Sequence, residues 1–331
     1  MTRPTRFVLL ALLCLTPAML CAQTPPAKVL SPDPRAAAHR TLADKLKAAK
    51  DYVGAIAQFQ QAYALNKTAH HKDAAADLNN VGFCYYRLSQ YDKAVGFFQQ
   101  ALPLFQQVGD TEDEAATLYN IGLVYDDQNQ YDKALDFYQQ ALSLRRQLGD
   151  KANEAMTLSS IGLAYNNQNQ PAKALESYQQ ALPIQRKLGD KVDEAATLYN
   201  IGLVYDDQSQ YDKALDFYQQ ALSLRRQLGD KANEAMTLSS VGTVYSESDR
   251  PAKALEFYQQ ELSLRRQLGD KADEAAALTS IGAAYYKLSQ YAKALDSYQQ
   301  ALPLLRETGN KAAEVRTLKS IKAVKAKQAT P

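Results

Sequence analysis

Apolar residues return along this chain in two alternating segments, each with helical spacing. Leu118, Ile121, Gly122 and Tyr125 fall at i, i+3, i+4 and i+7, the stripe by which one face of an α-helix meets a core. In the next segment Ala134, Tyr138, Ala141 and Leu148 trace a similar stripe. The punctuation agrees with two helices, A and B. Asp150 opens a helix A, with Asn153 and Glu154 in its first turn, where a side-chain oxygen caps free backbone N–H groups. Gly149 closes the preceding helix B, because glycine takes the left-handed conformation at a helix end at little cost. Arg145 and Arg146 sit in that last turn, where positive charge suits the helix dipole, and are read as helix-end charge and not a phosphate site.

The pair repeats every 40 residues. Gly82, Gly122, Gly162, Gly202, Gly242 and Gly282 form one series. Tyr85 to Tyr285, Ala94 to Ala294 and Gly109 to Gly309 form three more at the same period. A fixed period of this size marks a stacked array of two-helix units. The fold class is therefore all-α, with six full units over residues 73–310. Residues 113–160 match 193–240 at all but one position, Asn129 against Ser209. An 80-residue duplication explains this, and identity between the copies reports common origin and not constraint. Helix B carries Pro103, Pro183 and Pro303 where other units have Ser. Proline removes a hydrogen bond and bends a helix, so kinked outer helices with solvent-facing prolines are expected. Glu261 stands where the other units have Ala. A carboxylate in a small packing slot costs stability unless it reaches solvent or a partner, so a looser fifth unit is expected.

Leu118, Ile121-Gly122, Tyr125, Ala134, Tyr138 and Ala141 match the tetratricopeptide pattern at its spacing. Gly122 and Ala134 would let helices A and B approach, and Tyr125 and Tyr138 would fill the gap between units. The 40-residue form resembles the repeats of kinesin light chains, LGN-type polarity adaptors and bacterial repeat arrays. The resemblance implies a right-handed α-solenoid of about seven units over residues 36–327. Residues 36–72 read as a degenerate first unit, with Ala43 and Ala55 at the glycine and alanine positions. Residues 311–331 read as a capping helix and tail, where Lys322 and Lys325 replace the glycine and tyrosine. Terminal repeats of open solenoids need such polar faces.

The N-terminus reads as a processing signal. Arg3 and Arg6 precede an apolar run from Phe7 to Leu15, and Leu20-Cys21-Ala22 supplies small residues before Gln23. This is the layout of a secretory signal peptide over residues 1–22, too short to span a membrane comfortably. An uncleaved anchor or a lipidated Cys21 are the lesser readings. Residues 23–35, with four prolines, read as an extended leader. Cleavage would export the protein to the periplasm or the exterior. It would also remove two Arg and no acid from 38 basic and 36 acidic residues, leaving a neutral chain. The positive precursor is then no argument for a nucleic-acid partner. Cys84 would remain alone, without a disulfide partner, and reads as a small core residue.

No catalytic constellation is legible. The three histidines, His39, His70 and His71, have no Cys or HExxH-like spacing beside them, so no metal and no cofactor are expected, and an enzyme is not the reading. Four tyrosines fall outside the framework: Tyr86, Tyr119, Tyr199 and Tyr286. By the resemblance they occupy positions of helix A that line a concave groove. They are either interface anchors or ordinary inter-helix packing. Asn80, Asn120 and Asn200 run beside them, and Asn166 falls in the same row as Tyr86 and Tyr286. An Asn at the Asn80 place resembles the residues by which kinesin-light-chain and LGN-type repeats grip an extended backbone, or else it bonds its own neighbours. Asp126 and Asp206, each followed by a second Asp, close helix A. They either favour a basic ligand or form a solvated loop edge. Groove slots hold Asn, Tyr, Ser and Leu, and not the Lys and Arg of cochaperone repeats that hold acidic C-termini. The expected function is a scaffold that binds a protein or peptide in its groove, with a structural spacer as the alternative. A monomer is the default reading.

Overall fold

The computed structural model describes residues 33–68 and 70–329. The expected signal peptide (1–22), nearly all of the expected leader and the last two residues lie outside them. The described residues form fifteen helices: α1 (Pro34–Ala48), α2 (Tyr52–Asn66), α3 (His71–Arg87), α4 (Tyr91–Val108), α5 (Thr111–Asp127), α6 (Tyr131–Leu148), α7 (Lys151–Asn167) and α8 (Pro171–Leu188), followed by α9 (Lys191–Asp207), α10 (Tyr211–Leu228), α11 (Lys231–Glu247), α12 (Pro251–Leu268), α13 (Lys271–Lys287), α14 (Tyr291–Glu307) and α15 (Lys311–Gln328). Pro34 and Arg35, read from sequence as the end of the leader, instead open α1 behind the capping side chain of Asp33.

The expected punctuation is present. Asp110, Asp150, Asp190, Asp230 and Asp270 each accept the backbone N–H of the residue three further on. The six glycines that close helix B have φ between +68° and +72°. The A-to-B turn uses a second left-handed residue that the sequence reading passed over: Ser89, Asn129, Asn169, Ser209, Asp249 or Ser289, at φ +56° to +59°. Asn and Asp enter this region more readily than most side chains. α4, α8 and α14 run unbroken through Pro103, Pro183 and Pro303, and each proline faces solvent.

Each helix packs on its neighbours in sequence, and the repeat glycine sets how closely. A Cβ on Gly122 would lie 2.6 Å from the Tyr138 ring. The sequence reading placed Tyr138 between units. Its ring lies on Gly122 of its own unit and also joins Leu158, Ile161 and Ala164 of the next. Tyr125 stacks on Phe137 of its own unit at 5.6 Å. Two pairs of A helices, α3 with α5 and α7 with α9, touch directly, and no pair of B helices meets to the same degree. The A helices are thus the closely spaced inner layer, and the exposed side of that layer is the concave face. On α15, Ile321 and Val324 are buried while Lys319, Lys322, Lys325 and Lys327 are exposed, the amphipathic division expected of a cap.

Candidate functional site

All ten groove candidates lie half-buried on A helices. Asn80 is engaged: it accepts from Lys47 Nζ at 2.8 Å and donates to the Ala76 carbonyl at 2.9 Å. The amides of Asn120, Asn166 and Asn200 make no side-chain hydrogen bond among the described residues. Tyr86 lies tilted against Phe83 and Tyr91, and Tyr286 against Tyr291. Two cations stand at the ends of the inner layer and both are engaged: Arg87 lies over the Tyr52 ring, and Lys287 donates to the Ser246 carbonyl at 2.6 Å.

Tyr119 and Tyr199 prove to be inter-unit fasteners. The Tyr119 hydroxyl bonds Ser160 Oγ of the next unit at 3.0 Å, and its ring leans on Tyr138. The Arg145 guanidinium lies 4.6 Å from the ring centroid, donates to the Asn153 carbonyl at 3.0 Å and bonds Thr157 Oγ1. Tyr199, Ser240, Tyr218, Arg225, Asn233 and Thr237 repeat the arrangement. Arg145 and Arg225 are buried, so each guanidinium needs partners to offset its loss of water. Both arginines of each pair lie in the last turn of helix B, as expected; Arg146, the more exposed, pairs with Glu154 at 3.1 Å. The guanidinium–ring contact holds the tyrosine against its own unit while its hydroxyl reaches the next.

The interfaces after α3, α7, α11 and α13 lack the tyrosine, with Asn79, Ser159, Ser239 and Thr279 in its place. Between α7 and α9, Ser159 takes the tyrosine position and Gln185 the arginine position. Ser159 Oγ lies 3.1 Å from Thr197 Oγ1 and accepts from Gln185 Nε2 at 3.2 Å. A cavity of about 170 Å³ opens here, lined by Met156, Ser159, Ser160 and Leu163 of α7, by Gln185, and by α9 residues including Asp193 and Asn200. Gln185 is 1% exposed, and its Oε1 has no hydrogen-bond partner. Between α11 and α13, Ser239 again replaces the tyrosine, but Glu261 replaces the small Ala and Arg265 remains. Glu261 is 3% exposed, and its Oε2 has no partner. Arg265 Nε stands 3.9 Å from Oε1, too far for a hydrogen bond, while Arg265 Nη1 meets Asp273 at 2.8 Å. Burial pushes the Glu261 carboxyl up to about 7, against the pull of Ser239 and Arg265.

Asp126 and Asp206 accept from Tyr138 and Tyr218 hydroxyls at 3.3 and 3.4 Å, and each keeps one oxygen unpartnered. Burial raises both; Asp206, with Glu247 and Asp207 near it, reaches about 6. Their neighbours Asp127 and Asp207 are exposed. The middle of the inner layer is therefore rich in carboxylate and poor in cation. Among the described residues no three His, Cys, Asp or Glu side chains gather as a metal site, and no helix is long and apolar enough to cross a membrane.

Sequence had singled out the tyrosines and asparagines but not Gln185 or Asp193. The signal was present: Gln185 is the one polar, uncharged residue in the series Phe105, Arg145, Gln185, Arg225, Arg265, Leu305.

The fold and site together define a helical repeat array with a lined inner face. The tetratricopeptide-repeat model matches residues 73–147, 137–187, 153–227, 193–267 and 233–307, and the chain belongs to the tetratricopeptide-repeat family. No curated protein matches the sequence significantly. Solved structures share the fold at low identity. A signal-transduction ATPase with a tetratricopeptide-repeat sensor from Pyrococcus horikoshii aligns at TM-score 0.70 and 15% identity, over 85% of this chain and 44% of that one. This chain thus spans less than half of that protein. The apo form of RapI aligns at TM-score 0.64 and 17% identity, over 83% and 99% of the two chains. The apo quorum sensor NprR from B. thuringiensis aligns at 0.59 and 16%, over 87% of each. The fold is typical of protein-interaction scaffolds.

Proposed function

We propose that this protein is an exported, non-catalytic scaffold that holds an extended segment of another protein against its inner helix layer. The observation that carries the reading is the set of unpartnered amides, Asn120, Asn166 and Asn200, half-buried on three successive A helices. A side-chain amide both donates and accepts, so such a set can pair with a main chain regardless of its side chains. Similar folds include sensors, and a Rap protein of this fold was solved in complex with Competence and Sporulation Factor. Export rests on the basic and apolar N-terminal run, and cleavage would leave Gln23 as the first residue.

The test is a random-peptide display selection on the full chain and on a variant carrying Asn120→Ala, Asn166→Ala and Asn200→Ala. Tyr119 and Tyr199 are unsuitable targets because they fasten the units. Peptides enriched on the wild type and lost on the variant support the groove. A spacer that works through its outer face is the second reading. It is favoured by the apolar hollow of Pro183, Ile184 and Leu188 between Lys151 and Lys187, and selection unaffected by the three substitutions would favour it. N-terminal sequencing of the exported protein tests the cleavage.

A further inference from the structure

At the cavity between α7 and α9 a polar, uncharged side chain, Gln185, holds a register that Phe105 and Leu305 fill with apolar bulk at two other interfaces. Three interfaces keep an arginine at the register of Gln185, and the structure shows what it does. Arg145 and Arg225 fill the space with a tyrosine ring and donate to the next helix. Arg265, which has no ring beside it, sets its guanidinium against Asp273 at 2.8 Å. Asp193 stands at the register of Asp273, and Gln185 at that of Arg265, eight residues before it in each case. Asp193 therefore has the position of an arginine-paired carboxylate and no arginine. Its side chain makes no ion pair or hydrogen bond among the described residues, and burial raises its carboxyl. Gln185 adds the second unmet acceptor, Oε1, on a side chain almost wholly removed from solvent. A buried acceptor left without a donor costs free energy, and a ligand that supplies the donor recovers it.

We propose that this cavity receives one basic side chain, arginine in preference to lysine, from the segment held in the groove. The inference rests on the groove reading and adds its chemistry. The space, about 170 Å³, far exceeds the roughly 10–15 Å³ that seats one water. Met156, Leu163 and Ala196 offer apolar wall to the methylene stem of such a side chain. Asp193 and Gln185 Oε1 offer acceptors to its planar donors, which a guanidinium can meet together more readily than an ammonium. Ser160 and Asn200 lie at the same cavity, so a main chain crossing at Asn200 carries its side chain inward at this place.

The chain contains its own reporter and its own control. Met156 lines the cavity. Met236 has the same place one duplication further on, where Glu261 occupies the interior instead. The experiment titrates the full chain, labelled with 13C at its methionine methyls, with N-acetylated pentapeptides bearing Arg, Lys, citrulline, Glu or Leu at the centre. Citrulline keeps the shape of arginine without its charge. The Met156 methyl is expected to shift with the Arg peptide while Met236 stays still, with affinity for Arg roughly tenfold or more above citrulline, the size of one charged hydrogen bond. Asp193→Asn is expected to erase that preference. The double variant Ser159→Tyr with Gln185→Arg rebuilds the Tyr119–Arg145 arrangement already present in this fold. It is expected to fold and to lose the Met156 response. Equal binding of Arg and citrulline peptides, equal response of Met156 and Met236, or undiminished binding by the double variant would each overturn the cavity's role. None of these outcomes touches the display selection on Asn120, Asn166 and Asn200, so failure here and failure of the groove reading are separable.

Discussion

Glu261 is the residue whose cost can be worked out most directly. Its carboxyl ordinarily titrates at 4.5, and burial moves it to about 7 in the folded chain. A raised carboxyl binds its proton more tightly folded than unfolded, so stability falls as pH rises between the two values. Below pH 4.5 both states are protonated and the penalty is absent; above pH 7 it is complete. The gap of about 2.5, at ~1.36 kcal/mol per pH unit, makes the full penalty ~3 kcal/mol, and at pH 5 less than ~1 kcal/mol remains. Glu261→Gln keeps the volume and removes the charge. It is expected to stabilise the unit by ~2 kcal/mol more at pH 8 than at pH 5, a difference from which the amide's own pH-independent cost cancels. Repeat arrays need not unfold in one step, so amide-exchange protection in α11, α12 and α13 is the appropriate readout. α5, α6 and α7, where Ala141 holds the slot, serve as internal reference. The reasoning is refuted if the substitution changes protection equally at both pH values, or if wild-type α11 to α13 keep the same protection relative to the reference at pH 8 as at pH 5.

Other perturbations test the packing rules separately. Gly122→Ala should destabilise by about 1–3 kcal/mol in chemical denaturation, because the new Cβ meets the Tyr138 ring at 2.6 Å. Gly96→Ala, in α4 with nothing within 4 Å of the new Cβ, should instead stabilise by up to ~1 kcal/mol; equal effects of the two would show that helix propensity and not ring contact sets the glycine series. Tyr119→Phe should cost about 0.5–1.5 kcal/mol through loss of the Ser160 bond and leave peptide selection unchanged, whereas lost selection at full stability would return Tyr119 to the list of ligand contacts. Asp206→Asn should stabilise at pH 8 and have little effect at pH 4, since its carboxyl is raised to about 6 by burial and nearby acids.

The repeat was legible because its determinants are local in sequence: the apolar stripe, the capping Asp, the closing glycine and the 40-residue period. Each follows from the geometry of one or two helices, and each was read correctly without knowing what lay across the interface. The site was legible only where one unit supplies it. Asn120 and Asn200 were marked by type and position, and they are unpartnered on the inner layer. Asn80, of the same type at the same position, is not, because Lys47 of the degenerate unit reaches it. Tyr119 could be read from sequence as an interface anchor or as inter-helix packing, and only Ser160 and Arg145, on different helices, decide for packing. The cavity shows the same limit. Ser159 and Ser239 sit in copies that match almost residue for residue, and no reading of those copies alone tells them apart. What separates them lies in the following helix B: Ala181 and Gln185 leave space and an unmet acceptor, while Glu261 and Arg265 fill the space with charge. The differences between interfaces therefore reside in the pairing of slots across the unit boundary, which the period hides by presenting every unit as equivalent.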